Sequence, residues 1–294
     1  MLHQPLPALD DVEGAALPAG LPPVVDAHVH VFPDALFPSI WRWFDQHGWP
    51  IRYRLPAAEV APFLLSRGVA HVLLLHYAHR PGVARDLNAW VAELSAGIPG
   101  ATGLATVYPG EEGAAQILRE GFALGLAGVK LLAHVQCFDM AGPEMRPVYE
   151  TCAAHGKPLL MHVGREPKSP AYPCDPYELC DVARLEAVLR DFPTLKVCVP
   201  HLGADEFTAY RDLLGRHDNL WLDTTMVLAD YLPVRALPPL SSWRLERVLF
   251  GTDFPNIPYA WDRELKRLLA AELAPAQLAM VLGENAAALY GLAL

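Results

Sequence analysis

The feature that most constrains the fold is a rhythm. From Val24 onward, short apolar runs rich in β-formers alternate with longer Ala-, Leu-, Arg- and Glu-rich stretches of helical period. The runs are Val24–His30, Ala70–His76, Ala101–Val107, Gly128–Leu132, Pro158–Val163, Lys196–His201, Asn219–Thr224 and Arg247–Asp253. The stretches after them include Arg85–Ala96, Gly110–Leu124, Glu144–His155, Leu179–Asp191, Glu206–His217 and Asp262–Glu272. Gly68, Gly156 and the Asp191-Phe192-Pro193 turn close helices just before a strand. Runs such as Val72-Leu73-Leu74-Leu75 are continuous rather than alternating, as in parallel strands covered on both faces. Eight strands with helices between them predict an α/β fold, a (β/α)8 TIM barrel. The alternative is a doubly wound open sheet, which no Gly-rich phosphate loop supports.

The 294 residues suit one barrel of ~250, so residues 1–294 read as a single domain. Residues 1–22, rich in Pro, Ala and Leu without a clear period, read as an N-terminal arm, extended or packed on the surface. Two insertions follow strand C-terminal ends, where barrels build sites. Val31–Arg54 follows the first run and carries Trp41, Trp43, Phe44, Trp49 and Tyr53; Gly164–Tyr177 follows the fifth and carries Arg165, Lys168, Tyr172 and Tyr177. They read as lids or as hydrophobic cover for the mouth.

Composition narrows the function. Apolar residues make up 52% and mean hydropathy is +0.18, which excludes intrinsic disorder. No apolar run reaches the ~18 residues of a membrane span. The opening MLHQPLPALDDVEG lacks a basic n-region and an apolar h-region, so no secretory signal is expected. A formal charge of −10 disfavours nucleic acid and anionic membrane surfaces as partners. The five cysteines form no CxxC and read as reduced thiols, so a cytoplasmic location is expected.

The chemistry sits at the ends of the runs. His28 and His30 lie two apart at the end of the first, so both point to one side. An HxH alone does not make a metal site, because core histidines with backbone partners are common. Recurrence strengthens it: His162, His201 and Asp253 each end another run. Around one barrel mouth these ends converge, and His and carboxylate ligands there suit an open catalytic site for a divalent ion. His155 and His217 fall in last helical turns, where a cation suits the dipole, and with His3 and His47 read as structural or solvated.

The sequence resembles the amidohydrolase superfamily, in its amidohydrolase 2 branch of metal-dependent hydrolases and decarboxylases. Six segments carry the resemblance: Asp26-Ala-His28-Val-His30, Gly128-Val-Lys130-Leu, Met161-His162-Val-Gly164, Pro200-His201-Leu-Gly203, Phe250-Gly-Thr-Asp253-Phe-Pro255 and Glu284-Asn285-Ala-Ala-Ala-Leu-Tyr290. The resemblance implies a (β/α)8 barrel with one divalent metal on His28, His30, His162 and Asp253. Zinc is the first expectation, with Mn, Fe or Co admissible; a second metal is the lesser one. It implies that His201 and Asp253 are catalytic, orienting water or substrate and moving protons. Asp26 buttresses the HxH strand or simply partners a backbone N–H. Lys130 is either a carbamylated bridge, as in binuclear relatives, or an internal ion-pair partner, the reading favoured here. If the fourth strand extends far enough, Lys130 and His134 share its parity and His134 is a substrate contact. Arg165, Lys168, Trp41 and Tyr172 complete the expected substrate contacts.

The expected reaction is hydrolysis of an ester, lactone or amide of a small carboxylate-type substrate. Two alternatives stand beside it: non-oxidative decarboxylation of a small aromatic or unsaturated acid, and a non-catalytic metal-bearing binding protein. A small molecule is the expected partner, and a homodimer is compatible with the branch.

Overall fold

The computed structural model describes residues 10–166, 169–231 and 237–294. Among the described residues, eight parallel strands appear in the expected order: β1 (Val25–His30), β2 (His71–Leu75), β3 (Ala101–Gly103), β4 (Val129–Leu132), β5 (Leu159–His162), β6 (Val197–Val199), β7 (Leu220–Asp223) and β8 (Val248–Leu249). They form two ladders, β1-β2-β3 and β4 through β8 in sequence order. Bridges Ala105↔Val129 and Val29↔Phe254 join the ladders at both seams. Backbone bonds Lys130 N–H to Ala105 O (2.8 Å) and His30 N–H to Phe254 O (2.7 Å) close the ring. The molecule is a TIM barrel.

The helices are α1 (Phe37–His47), α2 (Ala57–Leu65), α3 (Ala84–Ala96), α4 (Ala114–Ala123), α5 (Ala133–Gln136), α6 (Arg146–Ala154), α7 (Pro176–Leu179), α8 (Val182–Asp191), α9 (Phe207–Arg216), α10 (Arg263–Leu269), α11 (Pro275–Ala279) and α12 (Asn285–Tyr290). Alternation along each strand divides the core. Val72, Leu74, Val129, Leu131, Leu159, Met161, Val197 and Val199 pack outward into the helical layer. Leu73, Leu75, Leu160, Cys198, Trp221 and Leu249 fill the barrel, with Ala286, Leu289 and Tyr290 of α12 packed against them.

β1 breaks this alternation in a way that creates the site. Asp26 pairs with Val72 and Val29 with Leu74, so β1 carries one extra residue across that interval. Val25 and Ala27 face the inner cluster, whereas Val29 faces the outer one. The bulge reverses parity and turns His28 and His30 inward together, as bulges re-aim side chains.

Several expected boundaries move. The third run is a strand only over Ala101–Gly103. The fourth ends at Leu132, and His134 lies on α5, so Lys130 and His134 do not share a strand. β6 ends at Val199, and His201 opens a 3-10 turn with φ +57°. The insertion after β1 contains helix α1. Residues 10–22 lie along α2 and α10: Leu17 N–H donates to Arg67 O (2.8 Å), and Arg263 pairs with Asp11 (2.8 Å). Residues 1–9 of the expected arm lie outside the described residues.

Gly251, just after β8, sits against the first histidine. A Cβ there would stand 2.5 Å from Thr225 Oγ1 and 2.8 Å from His28 Cβ. Gly251→Ala should therefore cost about 1–3 kcal/mol through overpacking. Urea unfolding reads it, and an unchanged midpoint would show that β1 and β7 tolerate a methyl there.

Candidate active site

The strand ends meet at the C-terminal mouth. His30 Nε2 lies 3.0 Å and His28 Nε2 3.4 Å from Asp253 Oδ1. Asp253 holds a left-handed backbone, φ +71°, and its N–H donates to His28 O at 2.9 Å. Such a conformation costs about 1–3 kcal/mol in a non-glycine residue, and it clusters at functional sites. These three ligand atoms lie within 4.8 Å of one another.

Behind them sits Asp223, fully buried at the end of β7. Its Oδ2 accepts from His28 Nδ1 at 2.9 Å, and its Oδ1 accepts the N–H groups of His201 and Thr225, each at 3.2 Å. The bond fixes the proton on His28 Nδ1 and leaves Nε2 as an acceptor. His201 is oriented likewise: Nδ1 lies 2.8 Å from Thr225 O, which can only accept, so Nε2 is bare. Lys130 Nζ donates to His28 Nε2 at 3.2 Å. Asp253 and Asp223 act on Lys130 through their fields. Asp26 accepts from His28 N–H (3.1 Å) and from the Thr252 N–H (3.1 Å) and hydroxyl (2.5 Å), tying β1 to the turn after β8.

A second group stands beside the first. His162, at the end of β5, His134 on α5 and Glu166 bring their ligand atoms within 4.8 Å of one another. The expected fourth ligand of the His28 group thus lies in a different triad. The His201 ring lies between the groups, 4.5 Å from His162 and 6.0 Å from His28 by ring centroids. Tyr172 stacks on His134 at 5.5 Å, its hydroxyl donates to Glu166 at 3.0 Å, and Trp43 of α1 stacks on Tyr172 at 5.6 Å.

Burial governs the electrostatics. It pulls His28, His30, His134 and His162 below the ordinary imidazole range, so they are neutral, as metal ligands must be. It brings Lys130 down to about 8 and pushes Asp26 up to about 7. Burial also disfavours the Asp253 charge, but contacts with His30 and His28 outweigh it and hold that carboxyl below the usual range.

The groups open on a cavity of about 1030 Å³. His30, His162, Glu166, His201 and Asp253 line its floor; Phe32, Trp43, Phe44, Trp49, Tyr77, Tyr172 and Tyr231 line its walls. Among the expected substrate contacts, Tyr172 lines this cavity. His134 is buried beneath Tyr172. Trp41 stacks instead on Phe37, at 5.3 Å. Arg165 pairs with Asp181 (2.7 Å) and Glu206 (3.7 Å), away from the cavity. Lys168 lies outside the described residues. Asp223 and Glu166 are absent from the expected set. Asp223 ends a strand run as His162 does, so the same rule selects it; Glu166 has only its i,i+4 spacing from His162 as a signal.

The amidohydrolase family model matches residues 25–292. The chain belongs to the amidohydrolase family. Among solved structures, this amidohydrolase is similar to 5-carboxyvanillate decarboxylase from Sphingomonas paucimobilis: identity is 19%, TM-score 0.61, with 92% of this chain and 99% of that one covered. It is similar to a candidate 2-pyrone-4,6-dicarboxylic acid hydrolase from Pseudomonas putida, with identity 19%, TM-score 0.65, and coverage of 92% and 98%. It is also similar to a dihydroxybenzoic acid decarboxylase from Polaromonas sp. JS666 with bound manganese and 2-nitroresorcinol, with identity 18%, TM-score 0.67, and coverage of 92% and 97%. No curated protein sequence matches it significantly. The family is metal-dependent, and no helix among the described residues is long and apolar enough to cross a membrane.

Asp223 generates a prediction. Asp223→Asn keeps the shape but removes the charge that orients His28. Zn²⁺ affinity, measured by competition with a chelator, should fall about 10–100-fold. Unchanged affinity would remove Asp223 from the support of the site.

Proposed function

We propose that this amidohydrolase is a hydrolase acting with one divalent metal, zinc or manganese, on an ester, lactone or amide of a small carboxylate-type substrate. The donor set fits the ion: the proton-free Nε2 of His28, the Nε2 of His30 and Asp253 Oδ1 give nitrogen and oxygen ligands with a position left open. Bound there, the ion would polarise a substrate oxygen and make water a stronger acid.

The observation that carries the hydrolytic reading is the orientation of His201. Its Nδ1 proton is committed to Thr225 O, so Nε2 can take a proton on the cavity floor beside Asp253. Asp253 is a second acceptor, held ionised by the imidazoles beside it. In hydrolysis these groups take the proton of the attacking water, the bond to the leaving oxygen or nitrogen breaks, and the proton passes to it. The aromatic walls orient the substrate and thin the water around it.

The same walls favour a second reading, decarboxylation of an aromatic acid, the activity carried in the names of two of the similar structures. There the carbon–carboxylate bond breaks, CO2 leaves, and the carbon takes a proton. The five cysteines, odd in number and without a CxxC, support a reducing compartment, hence the cytoplasm.

The test is a panel of lactones, esters, amides and aromatic carboxylates, scored for acid release and for CO2. Acid release, with Asp253→Asn and His201→Asn each lowering kcat/KM about 10²–10⁴-fold, is the expected outcome. CO2 release moves the assignment to the decarboxylase. Full turnover in both variants removes the two residues from catalysis, and saturable ligand binding without product identifies a binding protein.

A further inference from the structure

We infer that Glu264 is a positioning residue for His201: it anchors the loop after β7 so that Thr225 O stays on His201 Nδ1. Glu264 sits in the first turn of α10 with no exposure and takes no part in the proposed proton transfers. Its Oε1 accepts the Leu228 N–H at 3.1 Å, and the Ala229 N–H and Thr224 hydroxyl also act on the carboxyl. Its neighbour Arg263 donates from Nε to Ala229 O at 2.7 Å and pairs with Asp11 at 2.8 Å. α10 thus grips the far end of the loop, while Asp223 grips the near end through the Thr225 N–H at 3.2 Å. Glu264 Oε2 is buried without a hydrogen bond. Burial holds the carboxyl well above its ordinary range, so it is a neutral hydrogen-bonding group and not an ion-pair partner.

A strained residue lies between the two grips. The Val227 N–H donates to Thr224 O at 3.0 Å and closes a turn, within which Met226 holds φ +62°, a conformation few non-glycine residues adopt. The carbonyl of Thr225 belongs to the peptide unit between Thr225 and Met226. The plane of that unit is set by ψ of Thr225 and φ of Met226. Returning Met226 to negative φ therefore rotates the peptide and takes Thr225 O off the His201 ring, where it now accepts at 2.8 Å. His201 would lose the acceptor that fixes its Nδ1 proton, and its two tautomers would compete. Met226 and Val227 also line the cavity, so the same turn shapes the wall beside His201. A buried acid with an unpaired oxygen is costly in a place where leucine would pack. The turn held in its strained form is what that cost maintains. Only the consequence for turnover rests on the hydrolase reading; the orientation of His201 does not.

The experiment reads the His201 ring directly. Protein carrying ¹⁵N-histidine and loaded with Zn²⁺ gives ring-nitrogen signals, and those of His201 are assigned by their loss in His201→Asn. Wild type is expected to show one tautomer, protonated at Nδ1. Glu264→Leu, which keeps the volume and removes the acceptor, is expected to show both tautomers and to lower kcat about 10–100-fold with KM unchanged. Glu264→Gln, of the same shape and with an amide oxygen for the Leu228 N–H, is expected to restore both readings. Glu264→Asp, one methylene short of that N–H, replaces Glu264→Leu if the latter unfolds. A folded Glu264→Leu or Glu264→Asp with the wild-type tautomer and kcat would overturn the inference, and so would a folded Glu264→Gln that shows both tautomers. Mixed tautomers in Glu264→Leu, with no turnover by wild type on any substrate, would sink the hydrolase and leave the positioning role standing.

Discussion

The mouth of the barrel depends on one buried carboxylate. Asp223 ends β7 with no exposure and accepts three N–H groups, from the His28 ring, the His201 backbone and the Thr225 backbone. Hydrogen bonds to an ionised acceptor are roughly twice as strong as neutral ones, and a buried carboxylate without them would cost several kcal/mol. Those three bonds therefore lock the C-terminal ends of β1, β6 and β7 together. They also choose the His28 tautomer, while Thr225 O chooses that of His201. A segment of three residues, 223 to 225, leaves both Nε2 atoms without a proton. The site is thus prepared by main-chain geometry before any ligand arrives.

That preparation has a local cost in backbone strain. His201, Leu202 and Asp253 all hold positive φ, at 57°, 48° and 71°. The strain sits where strands end, and the barrel seam offsets it. The N–H of Asp253 bonds back to His28 O, and Asp26 gathers the Thr252 N–H and hydroxyl. The turn carrying Asp253 is consequently part of the β8–β1 closure rather than a free loop. The β1 bulge completes the device. Without its extra residue, His28 would continue the parity of Asp26 and point into the helical layer, away from Asp253.

The strands were legible because both faces are buried, so apolar runs and their polar ends stand out against the helices. His28, His30 and Asp253 were legible for the same reason: a polar residue ending such a run has only the mouth to face. Trp41 and Trp43 show where this stops. Trp41 packs on Phe37, one helical turn away, and Trp43 turns to the cavity; two residues on a helix differ by about 200°, and an insertion read as loop gives no such phase. Arg165 was unreadable for another reason. Its partners, Asp181 and Glu206, lie far along the chain and meet it only in the folded state. His134 depended on a strand boundary, and a two-residue difference moved it from a strand to α5.

The balance of charge inside the mouth would favour a bound cation. Asp223, Asp253 and Glu166 bring three carboxylates to these histidines, and among the described residues Lys130 is the ammonium that reaches them, through His28. The imidazoles are pressed by burial into the neutral form and add lone pairs rather than charge. In a medium of low dielectric this surplus of acceptors is unfavourable for the empty protein and favourable for a bound ion, and both follow from the same desolvation. A site that destabilises its own fold a little without metal binds metal more tightly, because occupancy relieves the repulsion as well as forming bonds. The Asp223 and Thr225 contacts keep the acceptors aimed inward, so relief by rotating a ring away is blocked. Affinity for an ion at this mouth would thus be stored as repulsion among the chain's own acceptors, held in place by the barrel.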